Sequence, residues 1–132
     1  MSIVYADTSA VLKRMVPEAE SDAVRAHLRQ CLDAGDLVLA SSLTWLEVWR
    51  ALRRLHDPEI QVGMRRTMSG IEEFPLDDGV LETARRIGGD SLRSLDAIHL
   101  ASAVMMGAHS IMTFDVRLAE AARSAGIGVV AF

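Results

Sequence analysis

Apolar residues in this chain come as short uncharged runs separated by longer stretches in which they recur every three or four positions. Ile3-Val4-Tyr5-Ala6 and Leu37-Val38-Leu39-Ala40 predict buried strands. Ser110 to Thr113 and Val129 to Phe132 predict two more. Ile71 to Leu76 predicts a fifth, weaker one, which Glu72, Glu73 and Pro75 assign to an edge. Between them the spacing predicts helices over Thr8–Val16, stopped by Pro17, and over Glu18–Leu32, ended by Gly35. A helix over Leu43–Leu55 follows, capped by Ser41-Ser42, and a turn at His56-Asp57-Pro58 leads into another through about Ser69. Asp77-Asp78 opens a helix that runs to Ile87 and stops at Gly88-Gly89. Ser94 is expected to cap Leu95–Met106, apolar nearly all round and so placed centrally, and Val116–Ala125 is the last helix. Strands alternating with helices imply an α/β three-layer sandwich with a mainly parallel sheet of four to five strands and about seven helices. At 132 residues, without repeat or linker, 1–132 is expected to be a single domain.

Four carboxylates sit where these apolar segments end or begin. Asp7 closes the first strand, Glu47 lies within Leu43-Thr44-Trp45-Leu46-Glu47-Val48-Trp49, Asp96 opens the central helix, and Asp115 follows Ile111-Met112-Thr113-Phe114. Taken singly, Asp7 and Asp115 are accounted for as N-caps, and Asp96 as a first-turn charge facing the helix dipole. Glu47 fits that reading less well, given its apolar neighbours. In open parallel sheets, however, the pocket lies outside the carboxyl ends of the strands, where the following helices begin. If the four meet there, two carboxylates ~4 Å apart repel by about 4 kcal/mol at an effective dielectric of 20. A divalent cation would relieve that repulsion, and an all-oxygen set selects Mg²⁺ or Mn²⁺ over zinc.

Composition narrows the classes. The longest weakly polar run, Ala97 to Met106, falls well short of the roughly 20 residues of a membrane span. No secretory leader is recognisable at the N-terminus. Cys31 is the one cysteine, which excludes an internal disulfide and fits a reducing cytoplasm. Net charge is −4, yet Arg50, Arg53, Arg54, Arg65 and Arg66 fall in a 17-residue stretch of net charge +3, leaving −7 elsewhere. That stretch is either a solvated helical face or a phosphate-contacting strip beside an acidic pocket. Trp45, Trp49, Met64 and Met68 belong to the core or to a groove for an amphipathic helix.

Covalent and histidine-based chemistry find little support. His27, His56 and His109 are scattered, and His99 reads as a satisfied core histidine. Cys31 has no basic neighbour, Ser41-Ser42 lacks flanking glycines, and no phosphate-binding glycine motif exists.

Four segments, in order, resemble one known family: Asp7-Thr8-Ser9-Ala10, Leu46-Glu47-Val48-Trp49-Arg50-Ala51-Leu52, Leu95-Asp96-Ala97-Ile98-His99-Leu100-Ala101 and Thr113-Phe114-Asp115. Together they resemble PIN-domain proteins, and within them the VapC-type toxins of bacterial toxin–antitoxin pairs, from Met1 to Phe132. The resemblance implies a PIN-like fold and an endoribonuclease using Mg²⁺ or Mn²⁺ held by Asp7, Glu47, Asp96 and Asp115. Thr113 and Ser9 match hydroxyl positions that orient a carboxylate or water. It further implies an RNA substrate, a VapB-type antitoxin, a homodimer, and contacts to RNA or antitoxin from Arg50, Arg53, Arg54, Trp45 and Trp49. Three rivals follow. A non-catalytic PIN-like binding module would lack an acid, and none is missing. A receiver-like phospho-accepting domain needs a lysine late in the sheet, and the one lysine is Lys13. Structure-specific DNA nucleases of this type carry extra helices for which 132 residues leave no room.

Overall fold

Five strands, β1 (Ile3–Ala6), β2 (Leu37–Ser41), β3 (Glu72–Phe74), β4 (Ser110–Met112) and β5 (Gly128–Val129), form one parallel sheet ordered β3-β2-β1-β4-β5 in the computed structural model, which describes residues 1–132. The helices are α1 (Thr8–Val11), α2 (Ser21–Asp33), α3 (Ser42–Arg54), α4 (Ile60–Met68), α5 (Asp78–Ala84), α6 (Ser94–Met105) and α7 (Val116–Ser124). The architecture is the α/β sandwich that the alternation of elements predicts. β3 lies at the edge, where Glu72 and Glu73 discourage pairing with another chain.

Side chains alternate across the sheet with period two, so each strand feeds two cores. Val4 and Ala6 of β1, Val38 and Ala40 of β2, and Met112 of β4 pack beneath Val24, Leu28, Val48 and Leu52 of α2 and α3. Tyr5 and Ile111 face the other way, onto Leu100 and Ala103 of α6 and Leu118 and Ala122 of α7. Leu100 and Leu118 are fully enclosed, and truncating either to alanine removes about 2–5 kcal/mol of stability. No helix is long and apolar enough to cross a membrane.

Several boundaries differ from expectation. The first helix lasts one turn before a 3-10 segment over Leu12–Arg14, and the second begins at Ser21 rather than Glu18. α5 ends at Ala84, and the last strand covers only Gly128–Val129. Ser94 does not cap α6: Arg93 occupies that position without a side-chain bond, and Ser94 is the first helical residue. α6 is also less enclosed than its composition suggests, since Leu95, Val104 and Met105 are exposed. Of the Ser41-Ser42 pair, Ser41 is the cap, its Oγ accepting from Leu43 N–H, while Ser42 Oγ donates to the Phe74 carbonyl. Gly35 takes φ +73° after α2, a turn that a side chain at this position would strain.

Candidate active site

After β1 the chain turns straight into α1 at Asp7, and after β4 it reaches α7 through Thr113, Phe114 and Asp115, so that an aspartate precedes each helix. Asp7 Oδ2 accepts from the Ser9 amide at 3.3 Å, and Asp115 Oδ1 accepts from the Leu118 amide at 3.0 Å. Both are therefore caps, as each read singly. They are also more than caps. Asp7, Glu47, Asp96 and Asp115 line a single cavity of about 400 Å³, together with Thr8, Ser9, Arg93 and His99. Helices α1, α3, α6 and α7 deliver them to the carboxyl edge of the sheet.

The hydrogen bonding divides each carboxylate in two. Asp7 is 5% exposed, and its Oδ2 also accepts from Ser9 Oγ at 2.6 Å and Thr113 Oγ1 at 2.9 Å. Glu47 Oε1 accepts from Thr8 Oγ1 and bonds His99 Nε2, both at 2.9 Å. Each of Asp7, Glu47 and Asp115 thus commits one oxygen to the protein and leaves the other without a protein hydrogen-bond donor. Asp96 commits neither. The Ser9 and Thr113 hydroxyls both donate to the Asp7 carboxylate. Their oxygens accept in turn from the Phe114 and Asp115 amides, at 2.9 and 3.0 Å, so neither is free to act as a nucleophile.

Charge crowding shows in the titration of the cup. Burial pushes the Asp96 carboxyl up, and the charges of Asp115 and Asp7 push it further. Burial also pushes Glu47 up, but the His99 hydrogen bond and charge outweigh it and hold Glu47 below its ordinary value. For His99, burial lowers the pKa and is outweighed by the Glu47 bond and the charges of Asp7, Glu47 and Asp96, leaving it raised. Burial, with Asp7 next, raises Tyr5 well beyond its usual range, so its hydroxyl stays protonated. A carboxyl raised in the folded state favours folding below its unfolded pKa, and that contribution is lost as pH rises through the folded value. Asp96→Asn is therefore expected to raise the melting temperature at neutral pH without divalent cation, by roughly 3 °C. Calorimetry showing an equal or lower melting temperature would mean that the acids do not repel one another here.

No three His, Cys, Asp or Glu side chains form a ready-made metal cage. The acids surround an open cup instead, and an ion there would need waters to complete its shell. Mg²⁺ usually keeps several waters and takes only one or two carboxylates, so single free oxygens on separate acids suit it.

Arg50, Arg53 and Arg54 are exposed along α3 and do not line the cup. Arg93 lines it, and with Arg117 also lines an adjoining cleft that shares Asp96 and Asp115. His99 is buried and hydrogen-bonded, as a core histidine would be, but its partners are the site's own acids. Lys13 is bound to Glu18 and Glu20 and lies 5.1 Å from the Phe114 ring centroid, away from the phosphoryl-holding position a receiver domain requires. A larger cavity, of about 790 Å³, separates α3 from α4, lined by Trp45, Leu46, Trp49, Met64, Arg65 and Met68 among others. It holds no cluster of acids.

Comparison with known proteins agrees with this geometry. A model of the PIN domain matches residues 4–124. Ribonuclease VapC46 of Mycobacterium tuberculosis is 36% identical over 133 residues, spanning 99% of this chain and 98% of that protein. Ribonuclease VapC47 of the same species is 33% identical across 94% of this chain and 93% of its own length. Among solved structures, VapBC2 from Rickettsia felis, bound to a DNA fragment from its promoter, superposes with a TM-score of 0.69 at 14% identity, covering 97% of each chain. The sarcin-ricin-loop-cleaving toxin VapC20 of M. tuberculosis gives 0.68 at 19% identity, covering 94% of this chain and 95% of its own. At such identities the structures speak for the fold alone.

Proposed function

This chain belongs to the PIN-domain family, and from that premise we propose that it is a metal-dependent endoribonuclease, the toxin of a type II toxin–antitoxin pair. The observation that carries the reading is the meeting of four carboxylates from four helices in one cup, three of them presenting a single unbonded oxygen. Full-length relatives named as ribonucleases support the substrate class.

Asp7 and Asp96 would hold Mg²⁺ or Mn²⁺ directly, with Glu47 and Asp115 completing the shell or holding its waters. Such an ion, when bound, supplies Lewis-acid charge stabilisation and a more acidic water. The chain's own residues do the rest. With Ser9 and Thr113 committed to Asp7 and to backbone amides, the attacking group is water rather than a side chain. Arg93 brings a cation to an otherwise negative pocket and receives a backbone phosphate of a splayed single strand. Arg93→Ala is expected to raise KM for RNA about tenfold while changing kcat little, since a charged hydrogen bond is worth about 1.5–3 kcal/mol. Steady-state kinetics beside Arg50→Ala test this, because Arg50 lies off the cup and should cost less.

A VapB-type antitoxin fits the apolar groove between α3 and α4, as an amphipathic helix would. Support for such a partner comes from the VapBC2 complex of R. felis. Homodimerisation belongs to the same reading, a second copy covering the exposed Leu81, Leu95, Val104 and Met105 on α5 and α6. Cytoplasmic residence fits the free, buried Cys31.

The test is direct. Purified protein, freed of antitoxin, is incubated with total RNA plus Mg²⁺, Mn²⁺ or chelator. Discrete fragments that chelator abolishes are expected. Equal cutting in every lane, or none in any, refutes the proposal.

A further inference from the structure

Behind the cup, polar groups from four separate elements are joined end to end inside the protein. The Ser41 amide, at the end of β2, donates to Tyr5 Oη at 3.3 Å. Tyr5 Oη, from the middle of β1, lies 2.5 Å from His99 Nδ1 on α6. His99 Nε2 lies 2.9 Å from Glu47 Oε1 on α3 and 3.6 Å from Asp7 Oδ1. Tyr5 is 0% exposed and His99 3% exposed, and both ring nitrogens have protein partners. Tyr5 and α6 belong to one face of the sheet and α3 to the other. The chain of bonds passes around the sheet's carboxyl edge and ties the two layers together at the acids.

Counting protons settles the bonds around Glu47. An ionised carboxylate only accepts, so Nε2 carries a proton whether the ring is neutral or charged. Thr8 Oγ1 donates its single proton to the same Glu47 oxygen, so Thr44 must be the donor in the 2.9 Å Thr8–Thr44 bond. Glu47 Oε1 is thereby fixed by two donors, and Oε2 is left for the cup. Both nitrogens of His99 are spent on the protein.

We propose that Tyr5 and His99 are positioning residues, a buried relay that holds Glu47 in its one productive orientation, and that His99 neither ligates the ion nor exchanges protons with substrate. The functional half of this rests on the metal-dependent nuclease reading; the bond assignment does not. A relay of purely structural value would, when broken, lower stability and leave cation affinity in the folded protein unchanged. Partners standing behind a metal's ligands instead cost about 10–100-fold in metal affinity or activity when removed.

Two measurements on the free protein judge it. Nitrogen-15 NMR of the His99 ring is expected to show a protonated Nε2 on both sides of any titration; an Nδ1–H tautomer with bare Nε2 overturns the assignment. Mn²⁺ titration by calorimetry is expected to show His99→Leu weakened about 10–100-fold. His99→Gln, which keeps an N–H for Glu47, should stay within about threefold, and Tyr5→Phe should fall between. On RNA, His99→Leu should lower kcat with KM within about threefold. If His99→Leu does not fold, the ordering of wild type, His99→Gln and Tyr5→Phe carries the test. Wild-type Mn²⁺ affinity in Tyr5→Phe, or in a folded His99→Leu, overturns the proposal. A wild-type protein that binds Mn²⁺ but cuts no RNA removes the nuclease reading and leaves the relay standing; one that binds no Mn²⁺ removes both.

Discussion

Asp7→Asn is expected to reduce RNA cleavage by about a thousandfold while leaving the fold nearly intact, because the substitution separates the two jobs of this side chain. Asn caps helices as well as Asp does, and its one carbonyl oxygen can still accept from Ser9 and Thr113 as Asp7 Oδ2 does now. What changes is the other terminal atom. The unbonded carboxylate oxygen becomes an amide NH₂, a donor in a place where a cation needs an acceptor. Asp7→Ala would confound the two roles by orphaning the Ser9 and Thr113 hydroxyls in a buried setting. Initial rates at saturating Mn²⁺, with melting curves on the same preparation, are the measurement. A rate within tenfold of wild type would show that Asp7 is only the cap it reads as in isolation.

That double role explains how much of the site could be read along the chain. Asp7 and Asp115 are legible because strand ends are local events: a short uncharged run stops, and the next residue must both leave the sheet and start a helix. In a parallel sheet all such ends share one rim, so two local signals become one place. Glu47 stood out because Leu46 and Val48 make a poor setting for a surface acid. His99 gave no such warning. Its neighbours on α6 are apolar, and what makes it part of the site is Tyr5, 94 residues away, and Glu47, 52 residues away. Charge density along the chain does not mark the cup either. The cluster at Arg50, Arg53 and Arg54 is dense in sequence but lines the exposed side of α3, whereas the isolated Arg93 reaches the cup from the residue before α6. The ends of elements failed for a further reason. Ser94 has the chemistry of a cap, but the backbone of Arg93 already holds the extended cap conformation, and helix α6 starts one residue earlier than a cap at Ser94 would need.

Trp49→Ala is expected to weaken antitoxin binding at least thirtyfold, about 2 kcal/mol or more, while lowering the melting temperature by less than roughly 3 °C. The two tryptophans of α3 make the contrast. Both line the groove against α4, but Trp45 also packs on the core beneath α2 and α3, whereas Trp49 belongs to neither apolar cluster. Removing Trp45 should therefore cost folding as well as binding, by about 3–5 kcal/mol of stability. Trp49 leaves only the groove. A half-buried tryptophan flanked by Met64, Met68 and Arg65 has the makings of an interface anchor: a large rigid ring, adaptable thioethers around it and a cation at the rim. Calorimetric titration of each variant with antitoxin, beside its thermal melt, separates the two costs. Should Trp49→Ala lose stability as heavily as Trp45→Ala, or bind antitoxin as wild type does, the groove is core that happens to be open rather than a receptor, and the antitoxin must dock elsewhere on the surface.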